Sequence, residues 1–252
     1  MTKTLIAASI AAVFSSTAVD AATHNPHLKH ALAQKIGAPV HSVSPSGSAT
    51  VLYDQFGGAT AQGVFVDDST SSSDSYDSEG ADDFVVPAGG WSVQQFTFQG
   101  FAIDDANQVA LNDWPATSNV FVYPDNAGTP AVAPECSYPG VADSYNTTTT
   151  VITVSLPTTC NLAAGKHWVG LQAVANFNVD FEEFHWIGSA PVANSGGVWR
   201  NIPDALGTGC TTFTAVPTCF PATANFPAAD PDFAFQVLGV VTPVRLQDFS
   251  VD

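Results

Sequence analysis

The sequence predicts an all-β protein, an antiparallel, jelly-roll-like β-sandwich of about ten strands. From Thr50 onward the chain breaks into short apolar runs divided by Gly, Pro, Asn and Asp. Its 252 residues include 19 Gly and 17 Pro, a density that suits frequent turns better than long helices. Hydrophobic residues make up 45% and aromatic ones 11%, enough for a packed core and too much for an acidic disordered tail. The six Lys and Arg against 23 Asp and Glu leave a net charge of −17, which repels phosphate backbones and argues against nucleic acid as a partner.

Taken in order, residues 1–21 read as a secretory signal peptide. Lys3 precedes an apolar run from Leu5 to Phe14, and Val19-Asp20-Ala21 places small residues at the −3 and −1 positions of a cleavage site. That run is too short to span a bilayer, and no later apolar stretch reaches the required length of about 18 residues. The sequence therefore predicts a secreted chain without membrane insertion, with the periplasm as the alternative location. Residues 22–48 form an N-terminal segment: His24 to Lys35 has helical spacing at Leu28, Ala31, Leu32 and Lys35, and a Pro, Gly and Ser linker follows.

The sandwich domain is expected over 49–241, with a tail at 242–252. Its strands are Val51–Tyr53, Gly63–Val66, Asp83–Val86, Trp91–Phe101, Asn119–Tyr123, Thr149–Leu156, His167–Ala175, Phe184–Ile187, Val198–Arg200 and Phe233–Leu238. In Trp91–Phe98 the apolar positions are 91 and 93, then 96 and 98. A two-residue period that slips by one predicts a β-bulge near Gln94-Gln95. Asn119–Tyr123 and Thr149–Leu156 are apolar on both parities, as strands covered on both faces are.

Four cysteines in an exported chain predict disulfides, and local pairing gives Cys136–Cys160 and Cys210–Cys219. No C-x₂-C pair points to zinc. Asp67 to Asp83 packs seven carboxylates, six Ser and no cation into 17 residues, which reads as a loop. Clustered carboxylates suit Ca²⁺, so Asp82 and Asp83 are candidate calcium ligands; a solvated acidic loop is the alternative. Cleavage after Ala21 would put His24 at mature position three, where the amine, two amides and an imidazole form a Cu²⁺ set. On a strand, Glu183 and His185 share a face and make a candidate acid–base or metal pair, with His167 as the further ligand.

Trp114 lies in the turn-like Leu111-Asn-Asp-Trp-Pro115 beside Asp113, and Trp199 precedes Arg200 and Asn201. An indole face beside hydrogen-bonding side chains is the chemistry of sugar binding, so Asp113, Trp114, Trp199 and Arg200 are candidate contacts. No nucleophile elbow, zinc-protease helix, P-loop or dinucleotide motif is present, so no catalytic residue is assigned.

Leu52-Tyr-Asp-Gln55, Ala81-Asp-Asp-Phe-Val-Val-Pro87, Asp125-Asn-Ala-Gly-Thr-Pro130, Ala164-Gly-Lys-His-Trp-Val169, Trp199-Arg-Asn201 and Pro231-Asp-Phe-Ala-Phe-Gln236 follow one another along the chain. Their order resembles the jelly-roll-like domains of secreted or surface-exposed bacterial proteins. The resemblance implies fold and export and carries over no catalytic residue. The function expected is that of a secreted, non-catalytic binding or adhesion protein whose ligand is a glycan or an extracellular matrix polymer, with Ca²⁺ as the candidate cofactor. A secreted hydrolase centred on Glu183, His185 and His167, and a self-associating surface or filament subunit, are the alternatives.

Overall fold

A computed structural model describes residues 32–34, 49–69, 74–104, 109–110, 117–175, 182–222 and 229–242. Among these the chain forms sixteen strands: β1 (Leu32–Gln34), β2 (Thr50–Asp54), β3 (Ala59–Phe65), β4 (Asp67–Ser69), β5 (Ser78–Val86), β6 (Trp91–Asp104), β7 (Val109–Ala110) and β8 (Thr117–Pro124); then β9 (Cys136–Asn146), β10 (Val151–Leu162), β11 (Gly165–Ala175), β12 (Glu182–Ser189), β13 (Val198–Asn201), β14 (Thr214–Ala215), β15 (Asp232–Phe233) and β16 (Phe235–Val241). One α-helical turn, α1, spans Val216–Cys219, and 3₁₀ turns lie at Phe56–Gly58 and Asp74–Tyr76. The fold is the antiparallel sandwich that the sequence predicts.

Its ladders run in the order β3–β12–β6–β10–β9–β8–β11, and β11 then pairs in parallel with β4, which follows β3 after Val66. The sheet thus curls around on itself. Branches extend it on both sides: β16 and β2 from β6, and β5, β13 and β14 from β11. Phe96 and Phe98 of β6, Ile152 and Val154 of β10 and Phe235 of β16 pack in one core with Val122 of β8, Leu171 of β11, Phe84 of β5 and Trp199 of β13. Trp186 sits within that core, its ring stacked on Phe233 at 4.4 Å and edge-on to Phe98 at 5.1 Å.

The parity slip in Trp91–Phe98 is realised as drawn. Gln95 pairs with Leu238 and Val93 with Gly239, so Gln94 is the extra residue that β16 does not match. Trp91, Val93, Phe96 and Phe98 consequently all face the core. Both disulfides form with the local pairing, Cys136–Cys160 and Cys210–Cys219.

Three elements depart from the sequence reading. Asp67–Asp83 is not a loop throughout, because it contributes β4 and most of β5, and β5 is a central strand between β11 and β13. Its carboxylates are accommodated by specific donors, described below. β9 falls where the sequence reading places no strand; it carries Pro139-Gly140, and these two residues occupy the register shift between Tyr138, opposite Val120, and Val141, opposite Ser118. There the missing proline N–H costs no ladder bond, and Gly140 takes φ of 60°. Within the helically spaced N-terminal segment, Leu32–Gln34 pairs instead with Val64–Gln62 as a strand, because the edge of β3 offers backbone partners that a short helix lacks.

Gly100 shows how closely β6 and β12 approach. A Cβ there would lie 2.0 and 2.5 Å from ring atoms of Phe184 and 2.7 Å from the His185 carbonyl oxygen. Gly100→Ala is therefore expected to destabilise the fold by about 2–3 kcal/mol, the range of an overpacked core. Denaturant titration checks this, and an unchanged midpoint would contradict the packing described.

Candidate functional site

The outer face of β8, β11, β5 and β13 follows from the two-residue period of a strand. Val120 and Val122 point into the core, so Phe121 and Tyr123 point out; Val169 and Leu171 point in, so Trp168, Gly170 and Gln172 point out. On β13, Trp199 points in and Arg200 out. Ala81, Tyr123, Trp168 and Val198 form a second apolar cluster on this face, with Phe121 and Phe213 packed against it.

Over this face lies a groove of about 390 Å³, lined by Asp77, Glu79, Phe121, Tyr123, Gln172 and Arg200, with Val132, Pro134 and Ile202 at its sides. Val132 is 95% exposed and Ile202 55%, so the sides are apolar and open to solvent. At the floor the Glu79 carboxylate is almost fully buried. It accepts from Arg200 Nη2 at 2.6 Å, from Arg200 Nε at 3.2 Å and from the Tyr123 hydroxyl at 2.7 Å. Burial pushes Glu79 above the usual carboxylate range, and Arg200 and Tyr123 pull it part of the way back. Tyr123 is pushed up by its own burial and by the neighbouring Glu79 charge. The Arg200 guanidinium lies 4.2 Å over the Phe213 ring. Gly170 makes the room: a Cβ on it would stand 2.3 Å from Glu79 Oε1.

Val132 and Pro134 lie just before Cys136, which is bonded to Cys160 of β10. Phe213, against which Arg200 packs, lies within the loop closed by Cys210–Cys219. The groove thus has β-strands below it and a disulfide-bonded cysteine close to one of its sides.

A second cluster surrounds Asp82 and Asp83. The two side chains, the candidate calcium ligands, leave β5 on opposite faces. Asp82, fully buried, accepts from Gln55 Nε2 at 2.9 Å, from the Phe233 amide at 2.8 Å and from the Asp83 amide at 2.7 Å. It faces Asp232, and burial together with that second carboxyl holds Asp82 well above the ordinary range; Asp232 is raised to about 6, chiefly by burial. Asp83 instead takes Lys166 Nζ at 3.0 Å and the Ser195 amide at 3.1 Å. Among the described residues no three His, Cys, Asp or Glu side chains converge in a set that could hold a metal ion.

The other sequence candidates are placed as follows. Trp199 is fully buried, its indole N–H donating to the Phe65 carbonyl at 2.7 Å, and offers no face to a sugar. Arg200 is the candidate contact that reaches the groove. Asp113, Trp114 and His24 lie outside the described residues. Glu183 and His185 do share a face at 3.4 Å, but both are buried, and the His185 ring stacks on Phe101. Burial presses His185 down to about 3, which leaves it neutral. His167 sits apart, paired with Glu135 and with the Ala163 carbonyl. Glu79, Tyr123 and Gln172 were missed. The alternation in Asn119–Tyr123 and His167–Ala175, read outward rather than inward, would have found the last two.

No family model and no curated protein matches this chain. The chain is similar, at 12% identity and a TM-score of 0.47, to a solved structure that holds the cysteine protease and lectin-like domains of a surface layer associated protein of Clostridium difficile. The alignment covers 78% of this chain and 36% of that one, so the chain spans about a third of that protein's length. Among the described residues no helix is long and apolar enough to cross a membrane. The two disulfides fit an oxidising, extracytoplasmic compartment.

Proposed function

We propose that this chain is an exported, non-catalytic binding protein whose groove over β8, β11, β5 and β13 takes a glycan or another extracellular polymer. The observation that supports the reading is the pairing of surfaces in one groove: Phe121, Val132, Pro134 and Ile202 at its sides, and Arg200, Gln172 and Asp77 toward its floor. A sugar ring has the same division, with C–H faces that pack on apolar groups and hydroxyl edges that need hydrogen bonds. The volume suits one segment of a chain whose ends run out into solvent. The hydrolase alternative is less well supported, since Glu183 and His185 are closed off from any substrate.

The test is calorimetric titration of the oxidised protein with a panel of soluble oligosaccharides, repeated with Phe121→Ala and with Val132→Asp. Val132 is too exposed for its replacement to disturb the fold. At least one oligosaccharide should bind, and each variant should weaken it about tenfold, the loss of one good apolar contact. Chromatography of the recovered sugars should show no shortening. A panel that never binds, or variants that bind like the parent, would sink the proposal; shortened sugars would replace it with the hydrolase reading.

A further inference from the structure

Resting on the groove as a polymer site, we propose that it reads acyl substituents, taking neutral polysaccharides that carry N- or O-acetyl groups in preference to those with bare hydroxyls. The hydrogen-bond supply of the floor carries the first step. Glu79 Oε2 accepts from Nε and Nη2 of Arg200, and Oε1 from the Tyr123 hydroxyl, which spends its proton there. Both Glu79 and Tyr123 are buried. Asp77 is engaged as well, accepting from the Ser69 amide at 2.8 Å, and Gln172 Nε2 donates to the Ser78 carbonyl at 3.2 Å. What Arg200 keeps for a ligand is Nη1. This nitrogen makes no hydrogen bond within the described residues, and 27% of the side chain is exposed.

A guanidinium is planar, and its Nε and Nη2 share the edge turned to Glu79, so Nη1 points away from that carboxylate. Phe213 beneath the plane holds it in that direction. The groove therefore presents a fixed donor to an acceptor oxygen. A neutral acceptor suits it better than an anion, because Glu79 already balances the Arg200 charge on a chain whose net charge is −17. The sides carry the second step. Val132 and Ile202, both exposed, flank the same groove of about 390 Å³ together with Phe121 and Pro134. A sugar hydroxyl can accept from Nη1 but brings nothing to these apolar sides. An acetyl group serves both: its carbonyl oxygen accepts from Nη1, and its methyl, two bonds away, leaves water against an aliphatic side chain.

The measurement is binding of the oxidised full chain to two matched pairs of neutral oligosaccharides: chito- against cello-oligosaccharides of one length, and O-acetylated against deacetylated xylo-oligosaccharides. The first pair differs by an acetamido group in place of a hydroxyl and reads the N-acyl source; the second reads the O-acyl source. In at least one pair the acylated member should bind at least about tenfold more tightly, the combined worth of one charge-assisted hydrogen bond and one buried methyl. Its affinity should change less than about twofold between low and high salt, since no net charge is exchanged. Arg200→Lys, which keeps a cation beside Glu79 and loses Nη1, should narrow the preference to within about threefold. Val132→Ser, at a site too exposed to disturb the fold, should narrow it by about threefold. Equal binding within both pairs, binding confined to unacylated sugars, or a preference that both variants leave intact overturns this inference and leaves the groove as the binding site. Failure of both pairs and of every other oligosaccharide to bind overturns the groove reading itself.

Discussion

Arg200→Ala is expected to be the most destabilising single change on the groove face, by about 3 kcal/mol at pH 8, read as a lowering of the unfolding temperature by about 6–12 °C. The size comes from what is left behind. Glu79 is almost wholly buried, and two of its three hydrogen bonds come from Arg200. Without the guanidinium, a carboxylate already raised by burial loses the group that lowers it most. The chain can escape by protonating Glu79, so the penalty should shrink as pH falls. The difference between Arg200→Ala and the parent should be several degrees smaller at pH 5 than at pH 8. Arg200→Ala combined with Glu79→Gln should recover most of the loss at pH 8, because the substitution that removes the cation no longer strands an anion. A penalty equal at both pH values, with no recovery in the double variant, would mean that lost packing on Phe213 is the cause.

How much of this was legible in the sequence divides along the range of the interactions. The strand at Trp91–Phe101, the bulge at Gln94 and the two disulfides depend on neighbours a few residues away, or on cysteines close enough to pair, and all are readable. β5 is not. Seven carboxylates in 17 residues look like a solvated loop because nothing nearby neutralises them. Their partners are distant: Arg200 lies 121 residues beyond Glu79, the Phe233 amide 151 beyond Asp82, and the Phe184 amide 117 beyond Asp67. Composition counts charges and cannot see donors that folding delivers. The Trp199-Arg200 pair was half read. A strand at Val198–Arg200 with a core-facing Trp must turn its Arg outward, so the period that hides Trp199 is the same one that brings Arg200 into the groove. Glu79 opposite Arg200 required the register of β5 on β13, which no local pattern specifies.

The second large effect is on pH dependence, and it belongs to Asp82 and Asp232. Asp82 is held well above the ordinary range by burial and by the facing Asp232, and Asp232 is held at about 6, chiefly by burial, so the native pair keeps its protons to higher pH than free carboxyls do. In the unfolded chain both would ionise near 4. The native state therefore binds protons that the unfolded state has released, and stability is fully present below about pH 4 and lost as pH rises through 6 and beyond. Asp143, held at about 6 by burial, acts in the same direction. His185, pressed down to about 3, acts in the opposite one: its contribution is intact above 6.5 and is lost as pH falls. With Asp67 and Glu79 also raised, the carboxyls outweigh the single imidazole, and the unfolding temperature should peak between about pH 4 and 6 and decline toward pH 8. Asp232 also anchors the segment from Ala190 to Gly197, together with Asp83. Asp232 Oδ2 accepts from the Ala193 amide at 2.7 Å, Asp83 from the Ser195 amide at 3.1 Å, and the Tyr53 hydroxyl from Asn194 at 3.3 Å, while Lys166 Nζ bridges Asp83 and Ser195 Oγ. Charging both carboxyls sets them against each other beneath that segment, so amide exchange at 190–197 should quicken between pH 5 and 8 more than in the core strands. Asp232→Asn keeps an acceptor for Ala193 and turns a donor toward Asp82, which can then ionise without a like charge beside it. It is expected to raise stability at pH 8 by about 2 kcal/mol and to leave it unchanged or lower at pH 4.5. Equal shifts at the two pH values would remove the carboxyl pair as the origin of the acid optimum.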